Sequence, residues 1–230
     1  MVNELISKDM ITYIHGFLGG PEDWNPLIEQ LPGPYQTLAS PEEIEKPVTL
    51  VGYSMGGRLA LDFATRHPKR VENLIILSAN PGIDDPIKRE ARRLWDEEWC
   101  HLIKNQGFEA FLEKWYAQPL FTDLRKRSDF HQIFKRRMEN DPDEVIATFR
   151  RLSPGVLPSC WKAIEKFLFP TLFLFGERDI KYHLIRNKLA KLGVKTDLIS
   201  NSGHAIHLEN PTECAHKIKE FLCQQASCKK

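Results

Sequence analysis

Gly52, Tyr53, Ser54, Met55 and Gly56 read G-x-S-x-G, and they stand between two different patterns. Before them runs the apolar stretch V-T-L-V at 48–51; after them comes G-R-L-A-L-D-F-A at 57–64, helix-like in its spacing. A chain that passes from strand to helix within so few residues must bend sharply at Ser54. Glycines on both sides allow a bend that a β-carbon would obstruct. Strand, turn and helix together form the context in which this pattern makes a nucleophile elbow. The serine hydroxyl is then lifted off the sheet edge, beside the unpaired N–H groups of the new helix. A chance Gly-Ser-Gly turn would lack those flanks.

Similar apolar runs recur at 11–14, 74–77, 172–175 and 197–199, each ending near Gly, Ser, Asn or Asp. Helical patterns lie near 21–31, 55–66, 182–192 and 211–225. Strands that alternate with helices in this way predict an α/β fold: a mostly parallel sheet with helices on both faces. Between Pro81 and about Lys166 the alternation stops, and helical periodicity takes over, as in Phe108, Phe111, Leu112 and Trp115. The expected organisation is a core of residues 1–81 and 167–230 interrupted by a helical cap insertion at 82–166. Residues 86–137 hold twelve Lys/Arg against eight Asp/Glu, which a solvated helical surface explains. No internal repeat is present, and the tail at 226–230 is expected to fray.

A net charge of +1 gives no whole-molecule attraction for nucleic acid or an anionic membrane. The five cysteines, at 100, 160, 214, 223 and 228, are scattered and odd in number. They suit neither a disulfide framework nor a zinc site and favour a reducing compartment. The N-terminal residues Met1, Val2, Asn3 and Glu4 carry no basic region ahead of an apolar core, and no segment has the length of a membrane span. The expectation is a cytosolic protein with no metal or cofactor motif. Monomer and weak homo-oligomer both stay open.

A serine hydroxyl needs a base, and the base needs an orienting group. The chain order for this kind of elbow is serine, acid, histidine. Asp179 closes the run L-F-L-F-G-E-R-D from residue 172, just past an expected strand. His204 follows 25 residues later in N-S-G-H, just past another. Both reach the same sheet edge as Ser54. Glu177 competes with Asp179 as the acid, and His207 with His204 as the base. The run H-G-F-L-G-G at 15–20 follows the first strand and predicts a turn whose backbone N–H groups face a developing oxyanion, those of Phe17 and Met55. A phosphate loop would need a Gly-Lys-Ser/Thr ending, which is absent.

These residues resemble the α/β-hydrolase superfamily over nearly the whole chain: the H-G-F turn, G-Y-S-M-G-G, G-E-R-D and S-G-H stand in the expected order. Further residues narrow the resemblance. Arg58 lies four positions after Ser54, one helical turn away. N-P-G at 80–82 precedes the basic run K-R-E-A-R-R at 88–93, and W-Y-A-Q-P-L-F spans 115–121. Arg136 and Arg137 follow sixteen and seventeen positions after Leu120. The combination is similar to the menaquinone-pathway family of 2-succinyl-6-hydroxy-2,4-cyclohexadiene-1-carboxylate synthases.

That resemblance implies a lyase acting on a small polycarboxylate, in which the triad promotes proton abstraction and loss of pyruvate. It implies substrate contacts from Tyr53, Arg58, Arg92, Trp115 and Arg136, with Arg89, Arg93 and Arg137 exchangeable by a shift of helix register. A carboxylesterase or thioesterase with a Ser54 acyl-enzyme is the alternative. The chain departs from the family in having only 35 residues between Gly16 and Gly52. The usual strand-to-loop element is reduced to 31–35, a helix ahead of the elbow is missing, and the N-terminal hairpin is short or absent. The expected fold is therefore trimmed on its N-terminal side.

Overall fold

The computed structural model describes residues 10–31 and 33–228. The expectations resting on residues 1–4, on an N-terminal hairpin, on Pro32 and on the last two residues of the tail lie outside them. Strands β1 (Ile11–Ile14), β2 (Tyr35–Leu38), β3 (Val48–Tyr53), β4 (Val71–Leu77), β5 (Thr171–Gly176) and β6 (Lys195–Ile199) form one sheet. Their order is β2-β1-β3-β4-β5-β6, and every pairing is parallel. Parallel strands need long return connections, and the intervening helices supply them.

Alternate residues explain why the interior strands read as continuous apolar runs. Tyr13, Val51, Ile75, Leu77, Leu172 and Leu174 share one core cluster with Ile218 and Phe221. Residues of the opposite parity, Leu50, Leu74, Ile76 and Phe173, are just as fully buried. A strand buried on both faces loses its alternation and becomes uniformly apolar.

Two compact units divide the described residues: those up to Asn80 with those from Lys162 onward, and Pro81–Trp161. The first contains the sheet and helices α1 (Met55–Arg66), α6 (Ile180–Lys191) and α7 (Pro211–Cys228). The second contains α2 (Pro86–Gln106), α3 (Phe108–Ala117), α4 (Phe130–Met138) and α5 (Pro142–Leu152).

Capping residues set the starts of two of these helices. The Asp85 carboxylate accepts from the N–H groups of Ile87 (2.8 Å) and Lys88 (3.2 Å) ahead of α2, and Asp141 accepts from Asp143 N–H (2.8 Å) ahead of α5. Aromatic side chains fill the second unit's interior, with the Trp115 ring 5.3 Å from Trp99 and 5.5 Å from Phe149. The unit also closes on itself. The Cys160 N–H donates to the Pro81 carbonyl (2.8 Å), and the Trp161 indole N–H to the Gly82 carbonyl (3.1 Å). Gly82, at φ +127°, has Ser159 Cα only 2.7 Å from where a Cβ would stand. Only glycine suits that crossing of entering and leaving chain.

Two local expectations need correction. No apolar run predicts a strand at 35–38, yet Tyr35–Leu38 pairs with β1. As an edge strand it is half exposed, so Y-Q-T-L never becomes an apolar run. The helix expected over 21–31 is a 3-10 turn, Pro21–Trp24, followed by a short helix, Asn25–Ile28; prolines at 21 and 26 break it up. Ahead of the elbow, only a 3-10 turn at Pro41–Glu43 lies between β2 and β3, in keeping with the helix expected to be missing there. Among the described residues no helix is long and apolar enough to cross a membrane.

Candidate active site

Ser54 follows β3 and caps α1 with φ 49° and ψ −107°, a conformation that costs a non-glycine residue about 1–3 kcal/mol. Its surroundings over-determine it. The Ser54 N–H donates to the Leu77 carbonyl of β4 (2.9 Å), and its own carbonyl accepts the Arg58 N–H (3.1 Å). A Cβ on Gly52 would stand 2.7 Å from Gly57 Cα, and one on Gly56 would overlap the carbonyl oxygens of Ile14 and His15. The first turn of α1 is thereby pressed against the turn that follows β1.

The acid and base arrive from the next two strand ends. Asp179 follows β5 and is buried, its N–H bonded to the Gly176 carbonyl (3.1 Å). His204 sits in the loop after β6 and is buried as well. Its Nδ1 lies 2.7 Å from Asp179 Oδ2, and its Nε2 lies 3.0 Å from Ser54 Oγ. This network assigns the tautomer: Nδ1–H donates to the carboxylate, and Nε2 accepts the serine O–H. A neutral imidazole held this way can take the hydroxyl proton while the buried carboxylate stabilises the cation that results.

The competing groups are engaged elsewhere. The exposed Glu177 carboxylate accepts the Asn201 N–H (3.0 Å), bracing the loop instead of the imidazole. His207 is buried, with its ring 4.3 Å from Tyr53 and 4.8 Å from Trp24. Tyr53 in turn lies with its ring 5.5 Å from that of His204.

Phe17 and Met55, the expected oxyanion donors, belong to the two segments that Gly56 presses together. The turn of Phe17 is closed by Gly19 N–H on the Gly16 carbonyl (3.0 Å), with Leu18 at φ +62°. Gly16 admits the Tyr53 ring 2.6 Å from the position of a Cβ. Met55 opens α1, where the first N–H groups have no carbonyl within the helix to meet. Arg58 follows on the same helix.

The remaining site candidates belong to the second unit. Arg92 uses Nε to bridge both oxygens of the buried Asp96 (2.9 and 3.0 Å) and lies 4.8 Å over the Trp95 ring. Ser153 O–H also donates to Asp96. Trp115 packs in the aromatic interior described above. Arg136 lies in the last turn of α4, where its charge helps hold the Asp129 carboxyl below the usual carboxylate range; the Arg127 hydrogen bond is the larger cause.

The register alternatives do structural work in the same unit. Arg89 donates to the Val156 carbonyl (2.9 Å), Arg93 to the Gly155 carbonyl (3.1 Å), and the buried Arg137 to the Tyr116 hydroxyl (3.2 Å). Residue patterns in the sequence did not identify the groups that hold the His204 loop. Arg178 N–H bonds to the Ser202 carbonyl (2.8 Å), and Ser202 O–H to the Ile199 carbonyl (2.8 Å). A carboxylate a few residues past an S-G-H turn, as in H-L-E at 207–209, was the available signal.

Comparison with known proteins agrees with this geometry. The model of the alpha/beta hydrolase family matches residues 15–217. The chain is 27% identical to a putative 2-succinyl-6-hydroxy-2,4-cyclohexadiene-1-carboxylate synthase of Bacillus subtilis, over 94% of this chain and 91% of that protein. It is 29% identical to the chloroplastic protein PHYLLO of Arabidopsis thaliana, matching 96% of its own length but only 16% of that much longer protein. The solved structure of MenH from S. aureus superposes with a TM-score of 0.86 at 29% identity, covering 96% of this chain and 95% of that one.

Proposed function

The chain belongs to the alpha/beta hydrolase family, and from that membership we propose that it is a carbon–oxygen lyase of menaquinone biosynthesis. The reaction is elimination of pyruvate from 2-succinyl-5-enolpyruvyl-6-hydroxy-3-cyclohexene-1-carboxylate to give 2-succinyl-6-hydroxy-2,4-cyclohexadiene-1-carboxylate. One observation carries the choice among the family's reactions: the likeness to the Bacillus subtilis synthase runs along nine-tenths of both proteins, not through the serine motif alone.

In this reading Ser54, polarised by His204 and Asp179, removes a ring proton as a general base. Negative charge gathers on the neighbouring carbonyl oxygen, which the N–H groups of Phe17 and Met55 stabilise. The electron pair then moves through the ring and breaks the C–O bond. The enolpyruvyl group departs, takes up a proton at carbon and becomes pyruvate. The substrate is a polycarboxylate, and guanidinium forks match carboxylates in a bidentate way. We assign that work to Arg58, Arg92 and Arg136, with Tyr53 and Trp115 as lining.

A serine ester hydrolase would use the same three residues but must build a covalent acyl-enzyme. Rapid quench followed by intact-protein mass measurement separates the two. Pyruvate release without a Ser54 adduct is expected. A kinetically competent acyl adduct with a thioester or p-nitrophenyl ester, and no pyruvate from the menaquinone intermediate, would sink the lyase reading.

A further inference from the structure

We propose that Glu209 is a positioning residue for the base, acting through the backbone on either side of His204. The inference rests on reading Ser54 and His204 as the reacting pair. Glu209 ends the short helix Ile206–Glu209, and its carboxylate folds back over the preceding loop. One oxygen accepts the Gly203 N–H, and the other accepts the Ala205 N–H (3.2 Å). The two donors bracket His204 in the chain. One carboxylate therefore ties down the backbone before and after the imidazole without touching the ring through either bond.

The opposite side of the same segment is held by exclusion. A Cβ on Gly176 would overlap the Gly203 carbonyl oxygen, so that peptide sits flush against the end of β5, three residues before Asp179. With the Gly203 carbonyl seated on one side and two N–H groups clamped on the other, the Cα–Cβ direction of His204 has little freedom. That direction decides whether Nδ1 stays 2.7 Å from Asp179 and Nε2 stays 3.0 Å from Ser54. A displacement of 1 Å at such a group costs about 10²-fold in rate.

Glu213 makes a useful comparison. It too accepts a loop N–H, that of Ser200 (2.9 Å), together with the Ser200 hydroxyl and the Asn210 amide, but it grips the loop four residues before His204. A role confined to general loop stability would make the two carboxylates equivalent. Geometry makes them unequal.

The test uses the full chain and a fluorophosphonate probe, whose reaction with Ser54 needs the base in place but no knowledge of the substrate. Glu209→Gln keeps one acceptor and turns an amide N–H toward the other donor; Glu213→Gln makes the same chemical change at the comparison site. Labelling rate, melting temperature and the far-downfield proton resonance of the His204–Asp179 bond are measured for each. Glu209→Gln should label about 10²-fold more slowly than wild type and lose or shift the downfield resonance. Glu213→Gln should keep both, whatever melting temperature each variant loses.

Equal labelling by wild type and Glu209→Gln, or equal slowing in both variants, would overturn the positioning role. If Glu209→Gln does not fold, Glu209→Asp, too short to span both N–H groups, is read by the same criteria. A wild-type chain that fails to label at Ser54 would instead overturn the reading of the site itself, and the positioning role with it.

Discussion

Ser54 is asked to satisfy two demands that favour different amino acids. Its hydroxyl is 3.0 Å from the His204 imidazole, yet its backbone sits at φ 49°, where glycine is at ease and other residues are strained. Removing the hydroxyl should therefore have two separable consequences. Ser54→Ala and Ser54→Gly should each lose about 10⁴-fold or more in turnover, as should His204→Ala, with the fold retained. Between the two serine variants, Ser54→Gly should be the more stable by about 1 kcal/mol, because it releases the backbone strain. Chemical denaturation of the pair measures that difference, and equal midpoints would mean that the elbow is not strained. If the proposed polycarboxylate is the substrate, lysine at Arg58 or Arg92 should raise its KM about tenfold, because a point charge cannot replace a fork. An unchanged KM in both would remove these arginines from substrate binding.

Whole elements respond to single contacts at their ends. Asp85 satisfies two N–H groups at the start of α2, so Asp85→Ala should lower stability by about 1 kcal/mol, read as a lower denaturation midpoint with an unchanged slope. Elements also differ in how openly the sequence announces them. The β3–α1 junction was fully legible, because the elbow glycines separate a buried run from a periodic one; the helix begins and ends where its pattern does, at residues 55 and 66. β4 starts at Val71, ahead of its apolar run at 74–77, and there the polar Asn73 is buried by donating its amide to Thr49 Oγ1 (3.0 Å). β2 was illegible for the opposite reason: with one neighbouring strand and a half-exposed face, it never needs to be apolar. At the site, the order Ser54, Asp179, His204 could be read because each residue follows a strand. Glu209 was harder to read, since a carboxylate working on backbone N–H groups has no partner residue in the sequence, only its spacing from the S-G-H turn.

Across the whole molecule, burial decides which of the cysteines can be reached. Burial pushes the Cys100 thiol up to about 11 and raises that of Cys214 as well, while Cys160 is also enclosed. A thiol reagent at pH 8 should modify the partly exposed Cys223 and leave 100, 160 and 214 unmodified until denaturant is added. Peptide mapping of the labelled chain checks this, and rapid native labelling of Cys214 would contradict the buried environment. The crossing of chain at Gly82 has a different kind of consequence, one for the order in which the protein assembles. Residues that pair between β4 and β5, such as Leu74 and Thr171, are about a hundred residues apart along the chain, and bringing distant ends together costs entropy that grows with loop length. Once the Pro81–Trp161 segment has folded and joined its own ends, the loop left to close is only about twenty residues, which lowers that cost by about 1.4 kcal/mol. To the growing sheet, a folded insertion of this kind is no longer than a short connector. Its interior can therefore be lengthened, shortened or exchanged with little kinetic penalty to the strands on either side, as long as the knot of contacts at its base is kept.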